Sequence, residues 1–335
     1  MEITSIDFSP AWWLPGAHLQ TVWGRLARSR RLITYRRESL ATPDGDELLL
    51  DHFDVEGAPA RHVVLLHGLE GSSYSVYIQG LVSLFARRGI PCTVLNFRFC
   101  ARDPKRILRA IPNRRPRMYH SGETTDFDFV LKTLASRHLD RTFLAVGASL
   151  GGNVLLKWLG ENSQSKIVRA AATLSVPYDL SAGARHLDSP TGRFYVRGFI
   201  KSLTRKLQHV VRQFPQTSAK VDLQRASQSR TFFDFDDAAT APLHGFAGAD
   251  DYYARSSSIH FLPRITCPTL CLSALDDPFL PADVLEKVRG AVPQQVRLLT
   301  TRFGGHVGFI GGLAPWSAHF WGEKLIVDWI LNVTG

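Results

Sequence analysis

The sequence predicts an α/β protein built on a mostly parallel, eight-stranded sheet flanked by helices. Three observations carry that expectation. Short β-branched runs alternate with longer helical patterns, the order of a doubly wound chain. The middle runs, Val63-Val64-Leu65-Leu66 and Phe143-Leu144-Ala145-Val146, are apolar at every position, as in strands covered on both faces. Glycine-bearing turns follow both runs at once, at Gly68–Gly71 and Gly147–Gly151.

Taken in order, strands are expected over Leu32–Glu38, Glu47–Phe53, His62–Leu66, Cys92–Phe97, Thr142–Gly147, Ala170–Val176, Thr269–Leu275 and Gln295–Arg302. Helices are expected over Val76–Arg88, Thr124–His138, Gly151–Asn162, Ala282–Gly290 and Pro315–Leu331. One stretch breaks the alternation. From Tyr178 to His260 the chain is polar, basic and mostly helical in character, and it is too long for a simple loop. It reads as a helical lid inserted after the sixth strand. The chain then divides into a core part at 1–177, the lid at 178–260 and a second core part at 261–335.

Bulk composition narrows the function classes. Apolar residues make up 44% and charged residues 21% of the 335, which suits a folded chain with a sizeable core. No run of about 18 apolar residues occurs, so no membrane-spanning helix is expected. Met1–Pro15 carries Glu2 and Asp7 and lacks a basic start followed by an apolar stretch, which argues against a secretory signal. The four cysteines form no C-x-x-C pair and no zinc pattern, and three lie in or beside strand-like runs. They read as reduced core residues of a cytoplasmic protein.

The net charge is +10, concentrated in Arg102–Arg117 and Arg193–Arg212. No nucleic-acid module is recognisable, so nucleic acid is not expected as a partner. Within the lid, Phe199, Leu203, Leu207, Val210 and Phe214 recur at helical spacing, with Lys201, Arg205, Lys206 and Arg212 on other faces. The apolar stripe is expected at the mouth of the site, and the basic faces suit solvent or peripheral contact with a lipid surface.

The chemistry concentrates in three loops. Gly147-Ala148-Ser149-Leu150-Gly151 joins a strand to a helix, a context that exposes the Ser149 hydroxyl on a sharp turn at a helix N-terminus. A serine hydroxyl is a weak nucleophile and needs a base, and the base needs an acid to fix its tautomer. His306, set between glycines in Gly304-Gly305-His306-Val307-Gly308, is the candidate base. Asp276 and Asp277 both follow the strand ending at Leu275 and are both candidate acids. These loops leave the carboxyl ends of strands, where α/β sites assemble. His67 is expected to brace its loop through hydrogen bonds. Glu123 precedes the helix from Thr124 and is expected to cap it, which weighs against a metal or acid–base pair with His120. Nothing in these motifs requires a metal or an organic cofactor.

Together these stretches resemble the YheT-like branch of the α/β-hydrolase superfamily, related to abhydrolase-domain esterases. The resemblance also rests on Pro15-Gly16-Ala17-His18-Leu19-Gln20-Thr21, Asn96-Phe97-Arg98, Tyr119–Thr124, His244-Gly245-Phe246, Asp251-Tyr252-Tyr253 and Asp276-Asp277-Pro278-Phe279. It implies the α/β-hydrolase fold and cleavage of a carboxylic ester, from a small-molecule or lipid substrate of medium or longer acyl chain. It implies oxyanion donors at the amides of Leu69 and Leu150, and an acid followed directly by proline, which favours Asp277 over Asp276. Asp276 would then cap the following turn. Acyl transfer to an alcohol uses the same residues, and a non-catalytic binding protein on this fold is the remaining alternative. The chain departs from the family at Phe99-Cys100-Ala101-Arg102, where Gly-Cys-Ser-Gly is usual.

Overall fold

In the computed structural model, which describes residues 8–57 and 59–334, the apolar runs form eight strands. These are β1 (Arg36–Ala41), β2 (Glu47–Phe53), β3 (Arg61–Leu66), β4 (Cys92–Asn96), β5 (Thr142–Ala148), β6 (Val168–Leu174), β7 (Thr269–Ala274) and β8 (Val296–Thr301). They hydrogen-bond in the order β1-β2-β4-β3-β5-β6-β7-β8. β2 runs antiparallel to β1 and β4, and the other pairings are parallel. β4 and β7 are buried at every position. Helices on both faces exclude water from them, which explains their unbroken apolar character.

The helices are α1 (Ala17–Ala27), α2 (Val76–Ala86), α3 (Thr125–Arg137), α4 (Leu150–Glu161), α5 (Leu180–His186), α6 (Pro190–Gln213), α7 (Leu223–Gln228), α8 (Phe232–Phe235), α9 (Ala241–His244), α10 (Ala249–Ser256), α11 (Asp283–Ala291) and α12 (Trp321–Asn332). Leu81 and Phe85 of α2 and Ile326 and Ile330 of α12 pack on one face of the sheet. Phe127 and Leu131 of α3, Val154 of α4 and Val288 of α11 pack on the other.

Between β6 and β7 the chain folds into α5–α10. The side chains of Asp179, Ser189, Asp222 and Thr231 each accept an amide hydrogen bond at a helix start, which is why four of these helices begin where they do. α6 buries Val196, Ile200, Leu203, Leu207 and Val210 against Phe99 and Met118. Phe99 sits at φ 62°, a left-handed conformation in which a residue with a Cβ is strained. Glycine is unstrained there, and the phenyl ring that replaces it fills space beneath α6.

Three expectations shift. The first strand begins at Arg36 rather than Leu32, because the Ile33 N–H bonds the Gln79 side chain instead of a neighbouring strand. The last helix begins at Trp321 rather than Pro315, because His319 and Phe320 first pair with Gly311 and Ile310 as short strands. The helix α1 was not expected: it buries Gln20 while Leu19 and Leu26 stand exposed, the reverse of the usual amphipathic pattern. The first seven residues of Met1–Pro15 lie outside the described residues. No helix among the described residues is long and apolar enough to cross a membrane.

Candidate active site

β5 ends at Ala148 and α4 begins at Leu150, which leaves Ser149 alone in the turn at φ 52°, ψ −124°. A Cβ on Gly147 would lie 2.6 Å from the Gly151 oxygen, and one on Gly151 would lie 2.5 Å from the oxygens of Leu66 and His67. Only glycine lets the strand, the turn and the β3 loop approach this closely. The positive φ of Ser149 is strained for a residue with a Cβ, and it leaves the hydroxyl on a sharp strand-to-helix turn.

His306 arrives from the loop after β8. Its Nε2 lies 2.9 Å from Ser149 Oγ, and its Nδ1 lies 2.8 Å from Asp277 Oδ2 and 3.1 Å from Oδ1. Asp277 is buried, and its Oδ1 also accepts the Phe279 N–H at 2.9 Å. The Phe279 ring stacks on the imidazole with centroids 4.3 Å apart. The three side chains, drawn from loops after β5, β7 and β8, thus form one continuous line of hydrogen-bonding contacts. An imidazole so held can accept a proton from the hydroxyl while the carboxylate stabilises the resulting cation.

Asp276 does not cap the following turn. Its Oδ1 accepts the Gly305 N–H at 2.9 Å, so it braces the loop that carries His306. Burial pushes its carboxyl above the usual range, partly offset by this bond. The same loop rests on α1. Thr21 Oγ1 accepts the His306 N–H at 2.9 Å, and Gln20 both donates to the Ile310 oxygen (3.0 Å) and accepts from the Ile310 N–H (2.7 Å). These bonds give a physical role to the Pro15–Thr21 motif that the sequence alone left unassigned. Ser175 Oγ, accepting the Val307 N–H at 3.0 Å, was likewise missed.

The loop after β3 faces the serine from the other side. His67 is fully buried; its Nε2 accepts the Phe97 N–H, so its proton stays on Nδ1, which donates to the Gly68 oxygen. Burial lowers it to about 3, so it remains a neutral brace, as expected. Tyr77 Oη accepts the Gly68 N–H and Tyr119 Oη accepts the Glu70 N–H, both at 2.8 Å. The intervening Leu69 amide has no acceptor among the described residues. The Leu150 amide, first of α4, is one of the unpaired donors of a helix N-terminus.

Glu70 ties this loop to α6. Its buried carboxylate accepts from Tyr119 Oη at 2.8 Å, from Lys206 Nζ at 2.5 Å and from the Ser202 hydroxyl. Burial alone would raise its pKa; Lys206 and the two hydroxyls outweigh that and hold it below the usual range. Lys206 is therefore not on a solvated face as its helical position implies. Its side chain is 9% exposed. The partners are 136 residues apart in sequence, a separation that no local pattern reveals. Glu123 accepts the amides of Thr125 and Asp126 and so caps α3; its Oε2 also accepts from Arg117 and lies 3.6 Å from His120 Nε2, and the His120 ring packs edge-on against Phe246 and Tyr252.

Residues 61–313 match the family described as alpha/beta hydrolase fold. The chain is 37% identical to an Escherichia coli protein named "Putative esterase YheT" over 98% of this chain and 94% of that one. It is 29% identical to the mouse protein named "Phospholipase ABHD3" over 93% of this chain and 75% of that one. The solved structure of the Pyrococcus furiosus esterase Pf2001 superposes with a TM-score of 0.56 at 13% identity, over 90% of this chain and 91% of that one, a likeness of fold. With its parallel sheet, its strained serine turn and this match over nearly the whole length, the chain belongs to the α/β-hydrolase family, in the YheT-like branch.

Proposed function

We propose that this chain is a serine hydrolase that cleaves carboxylic esters through an acyl-enzyme on Ser149. The observation that carries the reading is the line of contacts from Ser149 Oγ through His306 to Asp277 at 2.9 and 2.8 Å. Ser149 Oγ attacks the ester carbonyl carbon as His306 Nε2 takes its proton. The carbonyl oxygen, now negative, receives hydrogen bonds from the amides of Leu69 and Leu150. Collapse of this intermediate expels the alcohol, which takes the proton from His306. Water, deprotonated by the same imidazole, then attacks the acyl carbon and releases the acid, and Ser149 regains its proton. Asp277 holds Nδ1 protonated throughout.

Leu69, next to the Gly68 that faces the Ser149 Cβ, and Phe279, stacked on His306, both pack against the apolar cluster beneath α6 that contains Phe99, Ile200 and Leu203. This lining supports an acyl group of medium or longer chain. The relative named as a phospholipase agrees with an ester of lipid character. All four cysteines are free and three are buried, which supports a reducing, cytoplasmic setting.

A fluorophosphonate probe tests the nucleophile. The folded chain is expected to gain one phosphonyl group, mapped to Ser149 by peptide mass, and to lose ester turnover in proportion. Labelling elsewhere with turnover intact refutes the assignment. In a panel of p-nitrophenyl esters, kcat/KM is expected to rise from acetyl towards octanoyl.

The oxyanion loop gives a second expected result. In Glu70→Gln the buried Lys206 ammonium loses its counter-charge and the backbone beside Leu69 loses its anchor. Breaking such a buried pair costs about 3–5 kcal/mol of stability, read as a lower melting temperature. A donor that acts only on the developing oxyanion affects kcat rather than KM, so kcat should fall by roughly 10². A fall in stability with kcat unchanged would assign Glu70 a role in folding alone.

A further inference from the structure

The residues around the site leave an unusual surface uncovered. On α1, Leu19 and Leu26 point outward, while the opposite side of the helix holds the His306 loop through Thr21 and Gln20. Beside α1, Trp12 donates its indole N–H to the Leu313 oxygen, and Leu313 and Trp316 lie in the loop between the paired short strands Ile310–Gly311 and His319–Phe320. Trp12 is 76% exposed, Leu313 84% and Trp316 90%. Large apolar side chains standing free in a group mark an interaction surface. Indole rings in particular suit the boundary between water and lipid.

This apolar ridge continues onto α6. His18 of α1 stacks on Tyr195 of α6 and its Nδ1 lies 2.9 Å from the Tyr195 hydroxyl. The neighbouring Phe194 is 80% exposed. Tyr195 also meets Phe279 edge-on at 4.8 Å, and Phe279 stacks on His306. Two ring contacts therefore separate the exposed surface from the imidazole of the relay.

The charge beside the ridge is positive and unpaired. Arg193, Arg197, Lys201 and Arg205 recur every fourth residue along the exposed side of α6. At 3.6 residues per turn they spread over about a third of the helix circumference. None of them forms an ion pair among the described residues. Like charges four residues apart repel along a helix, a cost that an anionic partner would relieve. The inward side of the same helix is occupied by its apolar residues against Phe99 and Met118 and by Lys206 on Glu70, while Arg193, Arg197, Lys201 and Arg205 are exposed.

We propose that the face formed by Trp12, Leu19, Leu313, Trp316 and Phe194, with the basic row of α6, docks on an anionic lipid surface. The aromatic and aliphatic tips enter the headgroup region while the row of arginine and lysine neutralises lipid phosphates. Docked in this way, α1 and the start of α6 lie against the lipid and the His306 loop lies directly behind them. The exposed tryptophans favour lipid over nucleic acid: Trp12 and Trp316 lie outside α6 and do not alternate with its arginines and lysine as a base-stacking platform would require.

The test uses the full chain as Ser149→Ala, so that lipid is not consumed and binding is read apart from catalysis. Flotation with phosphatidylcholine vesicles containing roughly one quarter phosphatidylglycerol should recover the protein, with little bound to phosphatidylcholine alone. Arg197→Gln with Lys201→Gln should lower partitioning by roughly fivefold for each charge removed, and raised salt should do the same. Trp12→Ser with Trp316→Ser should weaken binding at constant charge and diminish the blue shift of indole fluorescence on vesicle addition. Both pairs sit on the exposed surface, and an unchanged melting temperature verifies folding. Failure to float with the anionic vesicles at low salt, or flotation that survives both pairs of substitutions, overturns the proposal. Salt-sensitive binding to a DNA duplex with no flotation assigns the basic row to nucleic acid and overturns it as well.

Discussion

Replacing Ser149 with alanine should lower kcat for a p-nitrophenyl ester by roughly 10⁶ and leave the melting temperature near that of the wild type. The change removes one oxygen whose recorded side-chain contact is the His306 imidazole, and it keeps the Cβ and the backbone of the turn. The positive φ costs alanine about what it costs serine, so the turn has no new reason to move. In the proposed mechanism, what remains after the substitution is polarisation of the carbonyl by the Leu69 and Leu150 amides, which would account for a residual rate above that in water. His306→Ala should fall to the same floor, because the Ser149 hydroxyl without its base keeps its proton and is a weak nucleophile. The double variant should be no slower than either single one, since the two groups act as a unit. Initial rates of the three variants against enzyme concentration check this. Additive losses would mean that the two residues act independently, and retained turnover in Ser149→Ala would remove the acyl-enzyme from the mechanism.

The serine turn was legible in the sequence because its requirements are local. Gly147 is needed by contacts within the turn itself; Gly151 is needed by the close approach of the β3 end at Leu66 and His67, but the two glycines still stand within five residues of one another around the serine. The strands β3 to β7 were legible for a related reason, since coverage on both faces removes the polar positions that would disguise them. α1 was not legible. Its buried side is defined by polar bonds from Gln20 and Thr21 to a loop nearly 300 residues away, so its apolar residues fell on the wrong side for a periodicity reading. Lys206 was misjudged for the same kind of reason. A lysine on a basic helix looks solvated until the fold brings a buried carboxylate against it. The aspartate pair shows the limit most clearly: adjacent residues share one strand end, the proline after Asp277 only favours it, and the contacts that separate the two come from the β8 loop, with His306 Nδ1 on Asp277 and the Gly305 N–H on Asp276.

That distinction yields the second large expected effect. Asp277→Asn should lower kcat by roughly 10⁴, whereas Asp276→Asn should cost about tenfold or less. The argument turns on what each oxygen does. Asp277 accepts a proton-bearing Nδ1, which leaves the lone pair of Nε2 facing Ser149 Oγ. An asparagine amide in its place donates to Nδ1, moves the imidazole proton to Nε2, and so presents the serine with a donor where an acceptor is needed. It also removes the negative charge that steadies the imidazolium during attack. Asp276 accepts a backbone N–H from Gly305, and an asparagine oxygen accepts that bond equally well. Its loss of charge occurs at a group that burial already discourages from ionising. Steady-state kcat for the two variants on one soluble ester checks the pair together, with circular dichroism to verify that both fold. If the large loss follows Asp276 instead, the imidazole takes its orientation from the residue that now braces the loop, and the relay must be redrawn around a different rotation of the His306 ring.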